Sequence, residues 1–207
     1  MKSTSPTIQS PKRAPGRPRE FDVNSALDKA ADIFSERGYA ATSIEELAKT
    51  MGLVTGSLYR AFKDKRSVFT NALERYLYVR SLPIEEIVAS AKTGKEKIAD
   101  LVGLYSSASY GAAGRRGCLV VSGAVELAAE DEEISSALRK SFDVTEQTLC
   151  RLIDEGKQDG SVRSGLATQP TARAILCFLQ GIRVVGKVET GRNRVDDASR
   201  AILALLA

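Results

Sequence analysis

The 207-residue sequence predicts an all-α protein, with a three-helix domain near its N-terminus followed by a larger helical bundle. Apolar residues recur at helical spacing from Val23 onwards, and no segment shows the strict alternation of a half-buried strand. Glycine and proline interrupt the pattern at short intervals early in the chain, which indicates several short helices. With 43% apolar and 27% charged residues, the composition is that of a globular protein.

The first twenty residues are rich in Ser, Pro, Lys and Arg and predict a disordered basic arm over 1–20. Within it, Pro15-Gly16-Arg17-Pro18-Arg19 is similar to the core of an AT-hook, an extended basic segment that lies in a narrow minor groove. Arg17 and Arg19 are therefore candidate DNA contacts, and a solubilising tail is the alternative. The arm lacks a secretory apolar stretch and no run could span a bilayer, so we expect a cytoplasmic protein with no membrane partner.

The first two helices are marked by clear start and stop signals. Apolar side chains at helical spacing predict a helix near residues 22–37, which Gly38 ends. The segment Thr42-Ser43-Ile44-Glu45-Glu46 offers two overlapping capping boxes, Thr42 with Glu45 and Ser43 with Glu46. These boxes predict a short second helix that Gly52 ends after barely two turns.

A third short helix follows Gly52-Leu53-Val54, so the second and third helices have the dimensions of a helix-turn-helix. We expect Leu53-Val54 to pack inward and Thr55 to cap the third helix. Leu58 and Phe62 supply its buried face. The other residues are left exposed, where glycine permits close approach to a phosphate and the polar groups contact phosphates or bases. These residues are Thr55, Gly56, Ser57, Tyr59 and Arg60.

The excess positive charge of the chain lies in its first third. Residues 1–66 hold 12 basic and 8 acidic residues, whereas residues 67–207 hold 18 of each. Lys63 and Lys65, just after the third helix, add cations that release counterions when a polyanion binds. This distribution favours duplex DNA as the partner of the N-terminal domain.

The remainder of the chain is also helical in pattern. A polar turn over 63–66 precedes a longer fourth helix, and Asp131 is a candidate N-cap. The Gly- and Arg-rich segment 109–117 indicates a loop. Further helices are predicted at 95–110, 118–128, 131–157, 170–188 and 193–206.

Residues 23–66 closely resemble the DNA-binding domain of the tetracycline-repressor (TetR) family in order, spacing and residue type. The likeness is carried by Ala-Ala-Asp-Ile-Phe-Ser-Glu-Arg-Gly-Tyr-Ala-Ala-Thr-Ser-Ile (30–44), Glu-Glu-Leu-Ala (45–48) and Gly-Ser-Leu-Tyr-Arg-Ala-Phe-Lys-Asp-Lys (56–65). A looser likeness covers Gly-Cys-Leu-Val-Val (117–121) and Ala-Val-Glu-Leu-Ala (124–128). After the basic arm (1–20), the resemblance implies a helix-turn-helix DNA-binding domain (21–66) and an effector-binding and dimerisation domain (67–207).

By the same resemblance, Thr42 and Ser43 lie near the DNA backbone at the start of the second helix. Thr55 to Arg60 form the recognition surface, with Tyr59 on a phosphate, and Lys65 holds a second phosphate. Arg60 departs from the His or Tyr of many relatives, so no base preference is carried over. The implied ligand is a palindromic operator read by a homodimer.

The family also implies a four-helix dimer interface, formed by the last two helices of each subunit. Gly181 and Gly186 would permit close helix approach there. The alternative for these apolar residues is an ordinary intrachain core. The candidate interface residues are Leu176, Leu179, Ile182, Val185, Ile202 and Leu205.

An effector pocket is expected beyond about residue 70, and an apolar cavity with one or two polar groups would suit a lipophilic small molecule. Its candidate lining residues, each of which could instead be plain core, are Tyr76, Tyr105, Tyr110, Cys118 and Phe142. We expect the effector to shift the fourth helix and so to change the separation of the recognition helices. Repression is favoured over activation, because occupying a promoter requires no contact with polymerase.

Other function classes receive less support. The chain has no histidine and three widely spaced cysteines, so no disulfide framework, metal site or cofactor is expected. An enzyme using carboxylates, Tyr or Cys118 is disfavoured, because no phosphate loop or dinucleotide fingerprint is present. Two alternatives stay open: a DNA-binding dimer without an effector, and a redox or electrophile sensor through Cys118, whose thiol could instead be a small buried hydrophobe.

Overall fold

A computed structural model describes residues 22–188 and 191–207, and this part of the chain folds into ten α-helices and a final 3-10 turn without any strand. The predicted all-α fold is confirmed. Within the same residues, no helix is both long and apolar enough to cross a membrane. The helices are α1 (Val23–Arg37), α2 (Ile44–Met51), α3 (Thr55–Ala61), α4 (Lys65–Ala89), α5 (Gly94–Ser107), α6 (Gly111–Arg116), α7 (Leu119–Glu126), α8 (Glu132–Gln158), α9 (Thr168–Val185) and α10 (Arg192–Leu203).

The first hydrophobic core joins the N-terminal helices to the rest of the molecule. Phe34 of α1 packs edge-on against Phe69 of α4, with ring centroids 5.2 Å apart. Leu119 of α7 and Ile134 of α8 are fully or almost fully buried in the same cluster. Apolar packing therefore continues across the proposed domain boundary at residue 66.

The second core lies between α5, the later part of α8, α9 and the C-terminus. α5 and α8 approach very closely where Gly94 meets Gly156. A Cβ on Gly94 would overlap the backbone of Leu152 and Gly156, so this close approach requires glycine at position 94. Among the residues of this core are Leu176, Leu179 and Ile182, each at most 7% exposed. These three side chains fill the interior of their own subunit, so their prediction as dimer contacts is wrong.

Several helix boundaries differ from the sequence-based expectations. Val54, not Thr55, is the N-cap of α3, and it supplies no side-chain cap because its side chain is apolar. The fourth helix starts at Lys65, within the predicted polar turn, since Asp64 forms a capping box with Ser67. The helix continues through Pro83 to Ala89. The expected loop over 109–117 contains the short helix α6.

The capping signals predicted for α2 and α8 agree with the structure. Ser43 and Glu46 form the capping box of α2, and the Asp131 carboxylate accepts from the Ile134 N–H at the start of α8. Of the two overlapping boxes before α2, only the second is made. Short polar motifs thus located helix starts well where the cap uses a side chain.

Candidate nucleic-acid interface and effector cavity

α3 exposes one polar face and buries the other. Leu58 and Phe62 are at most 7% exposed, whereas Tyr59 is 53% exposed and Gly56 and Arg60 are also on the surface. The Arg60 guanidinium donates to the Ser57 hydroxyl over 2.9 Å, which holds both groups on one side of the helix. Thr55 and Ser57 are half-buried at the edge of this face.

Val54 is 71% exposed beside this face, contrary to the expectation that it packs inward. Only Leu53 of the pair packs against the first core. As the N-cap residue, Val54 has extended backbone, which turns its side chain away from the core that Leu53 enters. An apolar side chain therefore joins the polar groups on the outer surface of the helix-turn-helix.

The charged side chains of this surface all have the same sign. Residues 47–63 include Lys49, Arg60 and Lys63 and no carboxylate, and all three cations are exposed. The predicted contacts Arg17 and Arg19 lie outside the described residues. The described surface alone thus offers the positive field that a phosphate backbone attracts.

Two predicted phosphate contacts at the edge of the surface have partners within the protein. Thr42 is 1% exposed and its hydroxyl donates to the Gly38 carbonyl over 2.7 Å, so its side chain does not reach the surface and that prediction is wrong. The Lys65 ammonium donates to the carbonyls of Tyr39 and Thr42 over 3.0 and 3.1 Å. Two of its three donors are therefore used to hold the α1–α2 turn. Ser43 remains exposed, with its oxygen accepting from Glu46 N–H.

A cavity of about 890 Å³ lies among α4, α5, α7 and α8. This volume is within the range of sites that hold drug-sized molecules, roughly 300–1,000 Å³. Its wall is mostly apolar, and the apolar lining residues include Leu73, Leu77, Ile84, Val88, Leu101, Val120, Ile134 and Val144. Tyr105 and Cys118 also line it, as the sequence predicted.

Three predicted lining residues do not reach the cavity. The Tyr76 hydroxyl donates to the Cys118 sulfur over 3.6 Å, which places the tyrosine behind the wall. Tyr110 is the N-cap of α6, and its ring packs against the Arg192 guanidinium. Phe142 is half-buried between the two hydrophobic cores. Each of these aromatic residues packs within the fold.

Arg80 is a cavity residue that the sequence reading missed. Its guanidinium carbon lies 5.2 Å from the ring centroid of Tyr105 and 5.6 Å from that of Tyr76. Its position on α4, four residues after Tyr76 and four before the lining residue Ile84, puts all three on neighbouring parts of one helix face. This spacing of four residues is the sequence signal that could have identified Arg80 as a cavity residue.

The Cys118 thiol lies in an electropositive environment. Burial raises the pKa of this thiol, but the Arg183 guanidinium, the Val121 N–H and the Tyr76 hydroxyl together lower it below the ordinary value. Arg183 itself is only 4% exposed and donates to the Gly117 carbonyl over 2.5 Å. Cys118 thus combines a position on the cavity wall with a thiolate-favouring environment.

Glu126, at the end of α7, connects the cavity wall to the helix-turn-helix. Its carboxylate accepts from the backbone N–H groups of Tyr39 and Ala40 over 3.0 and 2.9 Å, and from the Ser122 hydroxyl over 2.9 Å. Gly38 has a positive φ of 88°, and a Cβ there would overlap the same carboxylate. The α1–α2 turn is therefore shaped to receive this side chain.

The pKa of Glu126 reflects these bonds. Burial raises it, but the N–H of Ala40, the hydroxyl of Ser122 and the N–H of Tyr39 outweigh burial, so the carboxyl pKa lies below its ordinary value. Lys187, beyond the end of α9, donates to the Ser35 and Glu36 carbonyls at the end of α1 over 2.9 and 3.0 Å. Arg66 adds a two-bond pair with Asp131 across the same junction.

Comparisons with known proteins assign this architecture to a family. The model for bacterial regulatory proteins of the tetR family matches residues 26–72, and the model for the tetracyclin repressor-like C-terminal domain matches residues 94–202. The second match alone spans more than half of the chain. The chain belongs to the TetR family.

This TetR-family chain is 25% identical to the transcriptional repressor ComR of Escherichia coli over 179 residues, covering 86% of this chain and 85% of ComR. It is 30% identical to the repressor KstR2 of Mycolicibacterium smegmatis over 147 residues, 68% of this chain and 67% of KstR2. A cysteine mutant of the regulator CifR, solved with a 26-base-pair operator duplex, matches with a TM-score of 0.79 and 28% identity, over 91% of this chain and 98% of that one. The TetR-family protein is a DNA-binding transcriptional regulator.

Proposed function

We propose that this regulator is a homodimeric repressor that a small, lipophilic effector releases from a palindromic operator. The observation that carries the proposal is the apolar cavity of about 890 Å³ whose wall includes α4 and α7. These are the helices whose Lys65 and Glu126 side chains hold the α1–α2 turn of the DNA-binding domain. A molecule in the cavity thus acts on both connections to the helix-turn-helix.

In this proposal α3 enters the major groove and its polar face reads the operator. Tyr59 donates to a phosphate, Arg60 reaches base edges, and Lys63 adds a backbone contact. The residues assigned to the whole interface are Ser43, Thr55, Gly56, Ser57, Tyr59, Arg60, Lys63 and, through its third donor, Lys65. The DNA-bound structure of the relative CifR supports duplex DNA as the partner.

Selection of targets from a random duplex pool at roughly physiological salt tests the reading surface. We expect the wild type to enrich a palindrome, and Tyr59→Ala to bind it about 30-fold more weakly, since the dimer loses two hydrogen bonds that each contribute about 1 kcal/mol. Tyr78→Ala is the matched control, because Tyr78 is 58% exposed on α4, against 53% for Tyr59 on α3.

The outcomes separate three functions. Equal binding by Tyr59→Ala and the wild type would contradict the assigned surface. Salt-sensitive binding with no enriched motif would favour a protein that organises DNA without reading its sequence. Absence of duplex binding by folded protein would contradict the proposal as a whole.

Dimerisation is assigned to an exposed apolar surface on α9 and α10, which we call the α9–α10 face. It comprises Cys177, Gly181, Val184, Val185, Val188, Ile202 and Leu205, all exposed or half-buried in the single subunit. Val185 and Leu205, both predicted contacts, are 54% and 43% exposed. A second copy of the chain is the occupant of this face, because a palindromic operator requires two recognition helices related by a twofold axis.

The release mechanism is a shift between two states of the dimer. The effector must bind more tightly to the state in which the two α3 helices no longer fit successive major grooves. Movement of α4 or α7 when the cavity fills would reach the α1–α2 turn through Lys65 and Glu126. The sequence predicted that the effector acts through α4 alone, and Glu126 adds a second connection through α7.

A second candidate function is electrophile sensing by Cys118, favoured by its place on the cavity wall beside Arg183 and Tyr76. Here the Cys118 thiolate adds to the activated C=C bond of a small electrophile in the cavity. A carbon–sulfur bond replaces the π bond, and the other carbon takes a proton from water. We expect N-ethylmaleimide to release the wild type from its operator, and Cys118→Ser to stay bound. Cys150→Ser, at a half-buried cysteine of α8 that does not line the cavity, is the control. Equal release of Cys118→Ser and the wild type would contradict this candidate.

A further inference from the structure

The charged residues that line the cavity differ in burial. At its mouth, exposed side chains of both signs lie in water: Glu74, Glu85, Glu133, Lys140 and Arg151. Deeper in the wall, Arg80 is half-buried beneath this rim, between the rings of Tyr76 and Tyr105. Within residues 22–188 and 191–207, no carboxylate forms an ion pair with Arg80. The inner part of the cavity therefore carries positive charge without a carboxylate partner from this part of the chain. The titratable groups that face Arg80 are the Tyr76 and Tyr105 phenols and the Cys118 thiol.

A second guanidinium, that of Arg183 behind the cavity wall, adds to the positive potential of the inner cavity. Arg183 is 4% exposed, and its Nε atom is buried without a hydrogen-bond partner in the described structure. Its positive charge acts on Cys118, whose thiol lines the cavity. Burial raises the pKa of Tyr105, so its phenol keeps its proton at neutral pH and can donate. Cationic and donor groups thus converge on the inner wall.

A buried cation is stabilised by an anion that supplies hydrogen-bond acceptors. The two aromatic rings compensate Arg80 in part, but a carboxylate would accept two N–H bonds from a guanidinium and remove much of the cost of burying it. Most of the remaining wall is apolar and includes leucine, isoleucine and valine side chains from α4, α5 and α8, with scattered hydroxyl groups and the Gln180 amide among them. Such a wall selects an apolar body next to the charged group.

We propose that the effector is an amphiphilic anion, whose carboxylate pairs with Arg80 beside Tyr105 and whose apolar part lies against α4 and α8. This inference rests on the proposed function, because it names the class of molecule that fills the effector cavity. It restricts the lipophilic effectors expected from the sequence to those with one acidic end.

Three twelve-carbon probes with different head groups test the inference on the full-length protein. Dodecanoate, dodecan-1-ol and dodecylammonium are titrated below their micelle concentrations, with binding followed by calorimetry. We expect dodecanoate to bind the wild type roughly 10- to 100-fold more tightly than dodecan-1-ol, as a hydrogen bond to a charged group implies. Arg80→Gln should lose this preference and retain its affinity for dodecan-1-ol within about twofold.

Two further variants separate the role of Arg80 from a change in folding. Arg115→Gln removes an exposed arginine of α6 that does not line the cavity and should keep the preference. Arg80→Lys retains the charge and should restore at least part of it. Equal binding of dodecanoate and dodecan-1-ol to the wild type, persistence of the preference in Arg80→Gln, or no binding of any probe would overturn the inference.

Operator binding, measured in the same titrations, separates this inference from the proposed function. If dodecanoate binds through Arg80 and the protein stays on its operator, the anion site is supported and effector release fails. If dodecan-1-ol releases the operator as well as dodecanoate does, effector release is supported and the anion site fails.

Discussion

Val185→Arg should prevent the proposed dimer from forming, leave a monomer of 22.3 kDa and abolish most of the operator binding. Val185 is 54% exposed at the end of α9, within the α9–α10 face, and it makes no part of either intrachain core. Burying an arginine there in both copies places two unpaired charges in an apolar interface. The subunit fold should be retained.

The loss of operator affinity should exceed 100-fold, because the two half-sites would then be bound independently. Sedimentation velocity gives the mass, and fluorescence anisotropy on the selected operator gives the affinity. Val125→Arg is the matched control, since Val125 is 79% exposed on α7, away from the α9–α10 face. A Val185→Arg protein that sediments as a dimer with wild-type affinity would show that the subunits meet elsewhere.

Glu126→Gln should destabilise the protein by about 2 kcal/mol at pH 7, the order expected for hydrogen bonds to a charged group. The substitution preserves size but turns an amide NH₂ towards the N–H groups of Tyr39 or Ala40. Donor then faces donor, and one of the two backbone groups loses its acceptor. Urea unfolding measures the change through the midpoint, with the slope unchanged.

The pH dependence gives this prediction a second, independent readout. The Glu126 pKa is lowered in the folded state, so its contribution is complete above the unfolded value of about 4.3 and is lost as pH falls through the folded value. The stability difference between wild type and Glu126→Gln should therefore shrink below about pH 4. Glu130→Gln, at an exposed position four residues later, should change stability by less than about 0.5 kcal/mol. A difference that is the same at pH 7 and at about pH 3 would contradict the role of the charged carboxylate.

Local signals in the sequence predicted the helix-turn-helix well. Ser43 with Glu46 and Asp131 are caps made within three residues, and the burial of Leu58 and Phe62 follows from helical spacing. The same approach failed at Val54, because its exposure depends on how the turn enters α3 and not on its own hydrophobicity. Thr42 failed for a similar reason, since its hydroxyl is taken by the carbonyl of Gly38.

Most of the features that the sequence did not predict depend on contacts between distant segments of the chain. Glu126 meets Tyr39 and Ala40 across more than 80 residues of chain, and no motif near Glu126 reveals those partners. The sequence offered both a dimer interface and an intrachain core for the apolar positions of α9, and it does not show which position belongs to which. Leu179 faces the core and Val185 faces outward because α5 and α8 cover one side of α9.

The core that Phe34 and Phe69 share with Leu119 and Ile134 limits how this regulator can be recombined with its relatives. A chimera cut at residue 66 would carry Phe34 away from the side chains that cover it. It would also separate Glu126 from its N–H donors on the α1–α2 turn and Lys187 from its carbonyl acceptors on α1. Exchange of operator specificity is therefore better made by replacing the exposed face of α3 within the native scaffold than by transplanting the domain. The DNA-binding segment ends at residue 66 of the sequence, but the hydrophobic core extends across that residue, so the folded protein cannot be divided there.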